Sequence, residues 1–138
     1  MKAQSVATGV ELSALTLGVK DLNRAKKFYS EGLGGEIEQE HPGFVSLKLG
    51  DSPVKLALYT WDALAADAGV PAEGSGFRGV TLSYIVEGGG SEERVNDVIA
   101  QAKSAGAKVL KSPQKAQWGG YFGHFSDPDG YIWKVSGY

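Results

Sequence analysis

The sequence predicts an α+β fold made of two copies of one unit, a strand and a helix followed by three strands. Three observations carry this. Segments with a two-residue apolar period alternate with helical stripes in the same order in both halves. The 20 glycines, about twice the average share, mark many tight turns. A Gly-, Pro- and Ser-rich stretch, Val70 to Gly79, separates the halves as a linker. The two copies share little identity, so the repeat rests on element order.

In the first copy, Leu12–Val19 alternates: Leu15, Leu17 and Val19 point one way, Ala14, Thr16 and Gly18 the other. Asp21 caps a helix whose apolar stripe is Leu22, Ala25, Phe28, Tyr29 and Leu33, ended by Gly34-Gly35. Strands are predicted at Glu36–Glu40, Phe44–Leu49 and Val54–Tyr59, with turns at Pro42-Gly43 and Gly50 to Pro53. Trp61 to Ala68 has the spacing of a short helix. In the second copy, Val80–Val86 is a strand and Ser91 is placed to cap a helix with the stripe Val95, Val98, Ile99 and Ala102. Lys108–Ser112, Tyr121–Ser126 and Tyr131–Ser136 are strands, the last two joined at Asp127-Pro128-Asp129-Gly130.

Composition narrows the function. The 138 residues, 42% apolar and 22% charged, suit one globular domain. A net charge of -2 leaves no basic excess for nucleic acid. With no cysteine, thiolate metal sites, disulfides and cysteine nucleophiles are excluded. No apolar run is long enough to span a bilayer, and residues 1–10 read as a loose leader rather than a signal peptide, so a cytoplasmic location is expected.

The helix-facing sides of Leu12–Val19, Val80–Val86 and Tyr131–Ser136 are apolar. Their opposite sides are mostly small or polar, with Ile85 and Ile132 as exceptions. Trp118, Tyr121, Phe122 and His124 crowd near Gly119-Gly120, and alternation places Phe122 with His124. Bulky groups beside small polar ones suit a small-molecule pocket, though aromatics also fill cores.

Leu17-Gly18-Val19-Lys20-Asp21-Leu22, Phe28-Tyr29 and Leu33-Gly34 resemble the opening of the vicinal oxygen chelate superfamily, which includes glyoxalase I, fosfomycin and bleomycin resistance proteins and extradiol dioxygenases. Asp127-Pro128-Asp129-Gly130 before an apolar strand resembles its closing motif, and Ala105 to Val109 and Trp118 to Tyr121 fit a glyoxalase-like subgroup. The resemblance spans about Leu12 to Val135. It implies two βαβββ modules, about 11–60 and 80–137 with a linker at 61–79, forming an open eight-stranded barrel-like cup that holds the ligand, usually in a homodimer.

The family's enzymes commonly hold a divalent metal. By the resemblance, the ligand positions fall on Ala14, Leu56, Thr81 and Lys134, none an ordinary metal ligand. No metal and no cofactor are therefore expected. A shifted site could use His124, His41, Glu36, Glu38 or Glu40; the three glutamates alternate and should share one side of their strand. Lys134 should project into the cup, where it could meet an anionic ligand or a carboxylate, act as a base, or reach water. His124 could bind or shuttle protons. Thr16, Thr81, Trp118 and Phe122 complete the expected binding set, with Lys134 and His124 as the catalytic candidates.

Three functions follow from this reading. The first is a protein that binds a small organic molecule in a metal-free cup. The second is a lyase or dioxygenase of the same superfamily, using a shifted metal site or acid–base chemistry. The third is a non-catalytic dimeric interaction module.

Overall fold

The computed structural model describes residues 12–74, 76–117 and 119–137. β1 (Ala14–Val19) leads into α1 (Leu22–Lys27). The side chain of Asp21 accepts a hydrogen bond from the Arg24 amide at 3.0 Å and so caps α1 as expected. The helix then loosens into a π-helical turn, Phe28–Gly32, rather than running on to Leu33 as an α-helix. β2 (Glu36–His41), β3 (Phe44–Lys48) and β4 (Lys55–Thr60) complete the first module, and α2 (Trp61–Ala68) follows directly.

The second module repeats the order as β5 (Thr81–Val86), α3 (Ser91–Ser104), β6 (Lys108–Lys115), β7 (Tyr121–Ser126) and β8 (Ile132–Gly137). β6 runs three residues beyond the predicted Ser112. It is an edge strand, where Pro113 can turn its missing N–H outward without ending the ladder. Gly90, not Ser91, occupies the N-cap of α3; Ser91 is the first helical residue and is buried.

Each module forms one four-stranded sheet, ordered β1-β4-β3-β2 and β5-β8-β7-β6. In both, the first and last strands are parallel and the rest antiparallel. This identical topology bears out the duplication read from element order. The arrangement is α+β and open, without a closed barrel.

One core joins the two modules. Leu17, Val19, Val45, Leu47 and Leu58 of the first sheet pack with Val95, Val98, Phe125 and Val135 of the second half, and Phe28 and Tyr29 lie among them. Burial of these side chains contributes roughly 1.5–3 kcal/mol each. The modules also approach closely at Gly32, where a Cβ would sit 2.5 Å from the Ala105 Cβ. Gln101 Nε2 donates to the Gly32 carbonyl at 2.8 Å beside that contact. Gly32→Ala should therefore cost about 1–3 kcal/mol in urea unfolding, and Ala105→Gly in the same chain should recover part of it. Simple additivity of the two changes would refute this contact.

The motif residues of the two halves clasp each other. Asp127 Oδ1 accepts from the Asp129 and Tyr131 amides, both at 2.9 Å, which fixes the turn. Its Oδ2 accepts from the Tyr29 hydroxyl at 2.5 Å, and Trp133 Nε1 donates to that hydroxyl at 3.2 Å. Asp129 Oδ1 accepts from the Lys20 amide at 2.9 Å and from Arg24 Nη2 at 3.0 Å. The Tyr131 hydroxyl donates to the Gly18 carbonyl. The linker is held at the same place: Arg78 lies between the rings of Trp61 and Tyr131, 4.9 and 4.4 Å from their centroids.

Candidate functional site

Strand register defines which side chains share a face. In the second sheet, Leu82, Tyr84, Trp133, Val135 and Phe125 lie on the side packed against α3. Thr81, Ser83, Ile85, Ile132, Lys134, His124 and Phe122 lie on the other. In the first sheet, Leu15, Leu17, Leu56 and Leu58 face the core, while Ala14, Thr16, Ala57 and Tyr59 face away. The faces turned from α1 and α3 are the inner faces of the cup, and α2 covers the Gly18 end of the first one.

Four of the predicted site residues are therefore on one face. His124 is registered opposite Lys134, and the Phe122 and His124 rings meet edge to face with centroids 5.6 Å apart. Lys134 Nζ is 5.3 Å from the Phe122 centroid. Thr81 shares this face but lies on β5, beyond β8 from His124. Thr16 is on the corresponding face of the other sheet. Trp118 lies outside the described residues.

Sequence reasoning missed Lys111. Strict alternation along Lys108–Ser112 would put Lys111 on the same side as Val109, against the helix. Register shifts on both sides of Lys111 break that alternation and leave it opposite His124. Lys111 Nζ is 5.5 Å from the Phe122 centroid. Lys111, His124 and Lys134 thus form a row across three neighbouring strands. Partial burial and then the positive charges of Lys134 and Lys111 hold the His124 pKa below its ordinary value, favouring the neutral imidazole at neutral pH.

The expected ligand positions do not converge. Ala14 and Thr81 are on inner faces, but Leu56 points into the core and is 5% exposed. The inner-face neighbours of Leu56 are Lys55 and Ala57, which offer a cation no better donor. Methyl groups, threonine and lysine at these places do not fit a divalent ion. The glutamates of β2 do not share one side either. A register shift between Ile37 and Gln39 separates them. Glu38 pairs with Lys55 at 2.9 Å, whereas Glu40 pairs with Lys26 of α1 at 2.6 Å. Among the described residues, no group of three His, Asp or Glu side chains is placed to hold an ion.

A separate cleft of about 740 Å³ lies between the modules. Its walls include Leu15, Leu56, Leu82, Tyr84 and Trp133, with Thr81 at the same opening. It draws mainly on the helix-facing side chains, not on Phe122, His124 or Lys134.

The model of the glyoxalase/bleomycin resistance protein/dioxygenase superfamily matches residues 11–135. The chain belongs to this superfamily. Within it, a glyoxalase-related enzyme from Fulvimarina pelagi is 27% identical, with a TM-score of 0.80 over 93% of this chain and 88% of that one. A glyoxalase/bleomycin resistance protein/dioxygenase from Nocardioides is 25% identical, with a TM-score of 0.73 over 98% and 89%. A lactoylglutathione lyase from Agrobacterium tumefaciens, 20% identical with a TM-score of 0.65 over 94% of each chain, shares the fold. No curated protein matches the sequence. Among the described residues, no helix is long and apolar enough to cross a membrane.

Proposed function

We propose that this superfamily member binds a small organic molecule on the inner face of its second sheet, without a divalent metal. The observation that carries the reading is the cluster of Phe122, His124 and Lys134. It joins an aromatic surface, a neutral hydrogen-bonding ring and a cation at adjoining positions of two paired strands. The side chains at the superfamily's metal positions support binding without an ion. Thr16 and Thr81 supply hydroxyls.

The cup is completed by a second copy of the chain. The helix-facing sides of both sheets share one core, so their inner faces are turned away from it and from each other's packing. A homodimer that sets the first sheet of one copy over the second sheet of the other would enclose the ligand. The location in this reading is the cytoplasm, and neither nucleic acid nor membrane is a partner.

A thermal-shift screen against metabolites and drugs tests the binding. A ligand present at a hundred times its Kd should stabilise the fold by about 2.7 kcal/mol, raising Tm by roughly 5–10 °C. Phe122→Ala should weaken that ligand about tenfold. A hit whose affinity ignores Phe122 would place the ligand elsewhere, with the intermodule cleft the first place to look.

A second reading is an enzyme in which the neutral His124 imidazole accepts a proton from the bound molecule beside Lys134. The lowered His124 pKa favours it. Glyoxalase and extradiol dioxygenase assays, with His124→Gln as the control, separate this activity from binding alone.

A further inference from the structure

We infer that the cleft between the modules is a second binding site, separate from the inner face, and that it takes an uncharged, largely apolar small molecule. Its volume of about 740 Å³ lies within the roughly 300–1,000 Å³ of small-molecule sites. It opens where the shared core is left incomplete. Leu15, Leu33, Leu49, Leu82 and Trp133 pack against that core yet stay partly exposed, and all five line the cleft. Leu56, Val98, Phe125 and Val135, which are buried, complete the apolar lining. Contiguous apolar surface in a concave place is a mark of a binding site, because covering it removes that surface from water.

The opening is kept clear by backbone turns. Gly34 and Gly50 border it with φ of 80° and 54°, and a Cβ at either would meet nothing within 4 Å. On the other wall, α3 presents Arg94, Val98 and Gln101, spaced four and three residues apart and therefore on one stripe about 10 Å long. Gln101 Nε2 is engaged with the Gly32 carbonyl, which leaves Oε1 as an acceptor for a hydroxyl or amide of the ligand.

The charges on the walls do not favour an ion. They are Asp51, Lys55 and Arg94. Lys55 is paired with Glu38 at 2.9 Å, and Asp51 and Arg94 cancel in formal charge. Affinity must then come from the apolar body. A folded partner fits less well, because Leu56 is only 5% exposed and a body that reaches it must enter between the modules.

N-phenyl-1-naphthylamine, an uncharged probe whose emission rises in apolar surroundings, tests the site by titration of the full chain. It should saturate, and in methyl-labelled protein it should shift the methyl resonances of Leu15, Leu82 and Val98. Leu82→Trp, which fills the cleft, should weaken the probe about tenfold. Leu110→Trp, on β6 and outside the cleft, should leave the affinity unchanged. Shifts at the Phe122 and His124 rings in place of those methyls would overturn the cleft site and leave the binding reading standing. A folded Leu82→Trp chain with the parent's affinity overturns it too. Should that chain fail to fold, the methyl shifts of the parent decide: if they are absent at saturation, the site is refuted. Probe emission that falls as the chain self-associates in sedimentation also refutes it, because a second copy would then occupy the cleft.

Discussion

Asp127→Ala should cost about 3–5 kcal/mol of folding stability, read from urea unfolding. Asp127 is 4% exposed, and its carboxylate serves three donors at once. Alanine leaves the Tyr29 hydroxyl buried without its acceptor and frees the two turn amides. Each unsatisfied buried group costs about 1–3 kcal/mol. Tyr29 is fully buried, and burial followed by the Asp127 charge raises its hydroxyl pKa well above the ordinary value. The hydroxyl therefore remains a donor throughout the neutral range. A loss under 1 kcal/mol would mean that the clasp is incidental to folding.

The same residue sets a pH dependence. Burial raises the Asp127 pKa despite the hydrogen bonds that favour its charged form. The folded chain then holds this proton to higher pH than the unfolded chain does. The favourable contribution is complete below the unfolded pKa and fades as pH rises through the folded one. Asp127→Asn cannot ionise. Its stability deficit relative to the parent should be largest in acid and should shrink as pH rises across that window. A deficit that grows over the same range would reverse the sign assigned to this carboxyl.

Phe28→Ala is the second large effect, with an expected loss of about 3–5 kcal/mol. Phe28 is 2% exposed and meets the Tyr29 ring edge-on at 5.0 Å and the Phe125 ring at 6.3 Å. Phe125 in turn stacks on Trp133, 6.0 Å away and nearly parallel. The ring thus bridges the first module to the aromatic group of the second. Removing it leaves a cavity at the place where the modules share their core. Phe28→Leu should cost less than about 1.5 kcal/mol, because most of the volume is kept. Equal losses for the two variants would show that ring geometry, rather than volume, matters here.

These two residues clarify what the recognisable motifs do. Phe28-Tyr29 and Asp127-Pro128-Asp129-Gly130 carried much of the resemblance, yet both belong to the clasp between modules. Asp127, Asp129 and Tyr131 each reach the opening segment, at Tyr29, Lys20, Arg24 and Gly18. The motifs identify the fold because the fold depends on them. They do not name a ligand, which is why superfamily membership leaves the activity open.

The sequence by itself determined the elements, their order and the duplication. Apolar alternation and helical stripes are local, and Asp21, Gly34 and the Asp127 turn punctuate them through the side chains and backbone freedom of a few neighbouring residues. Phe122, His124 and Lys134 were legible as neighbours because β7 and β8 keep strict register. Lys111 and the β2 glutamates were not, because each strand carries an irregularity, and a slip of one residue moves a side chain to the opposite face. Leu56 was misplaced for a simpler reason. It was assigned by spacing from a family pattern, although its alternation with Lys55 and Ala57 already marked it as a core position. Only the tertiary structure decided that the two helix faces share one core, since which sheets pack together depends on contacts between residues a hundred positions apart, such as Tyr29 with Asp127.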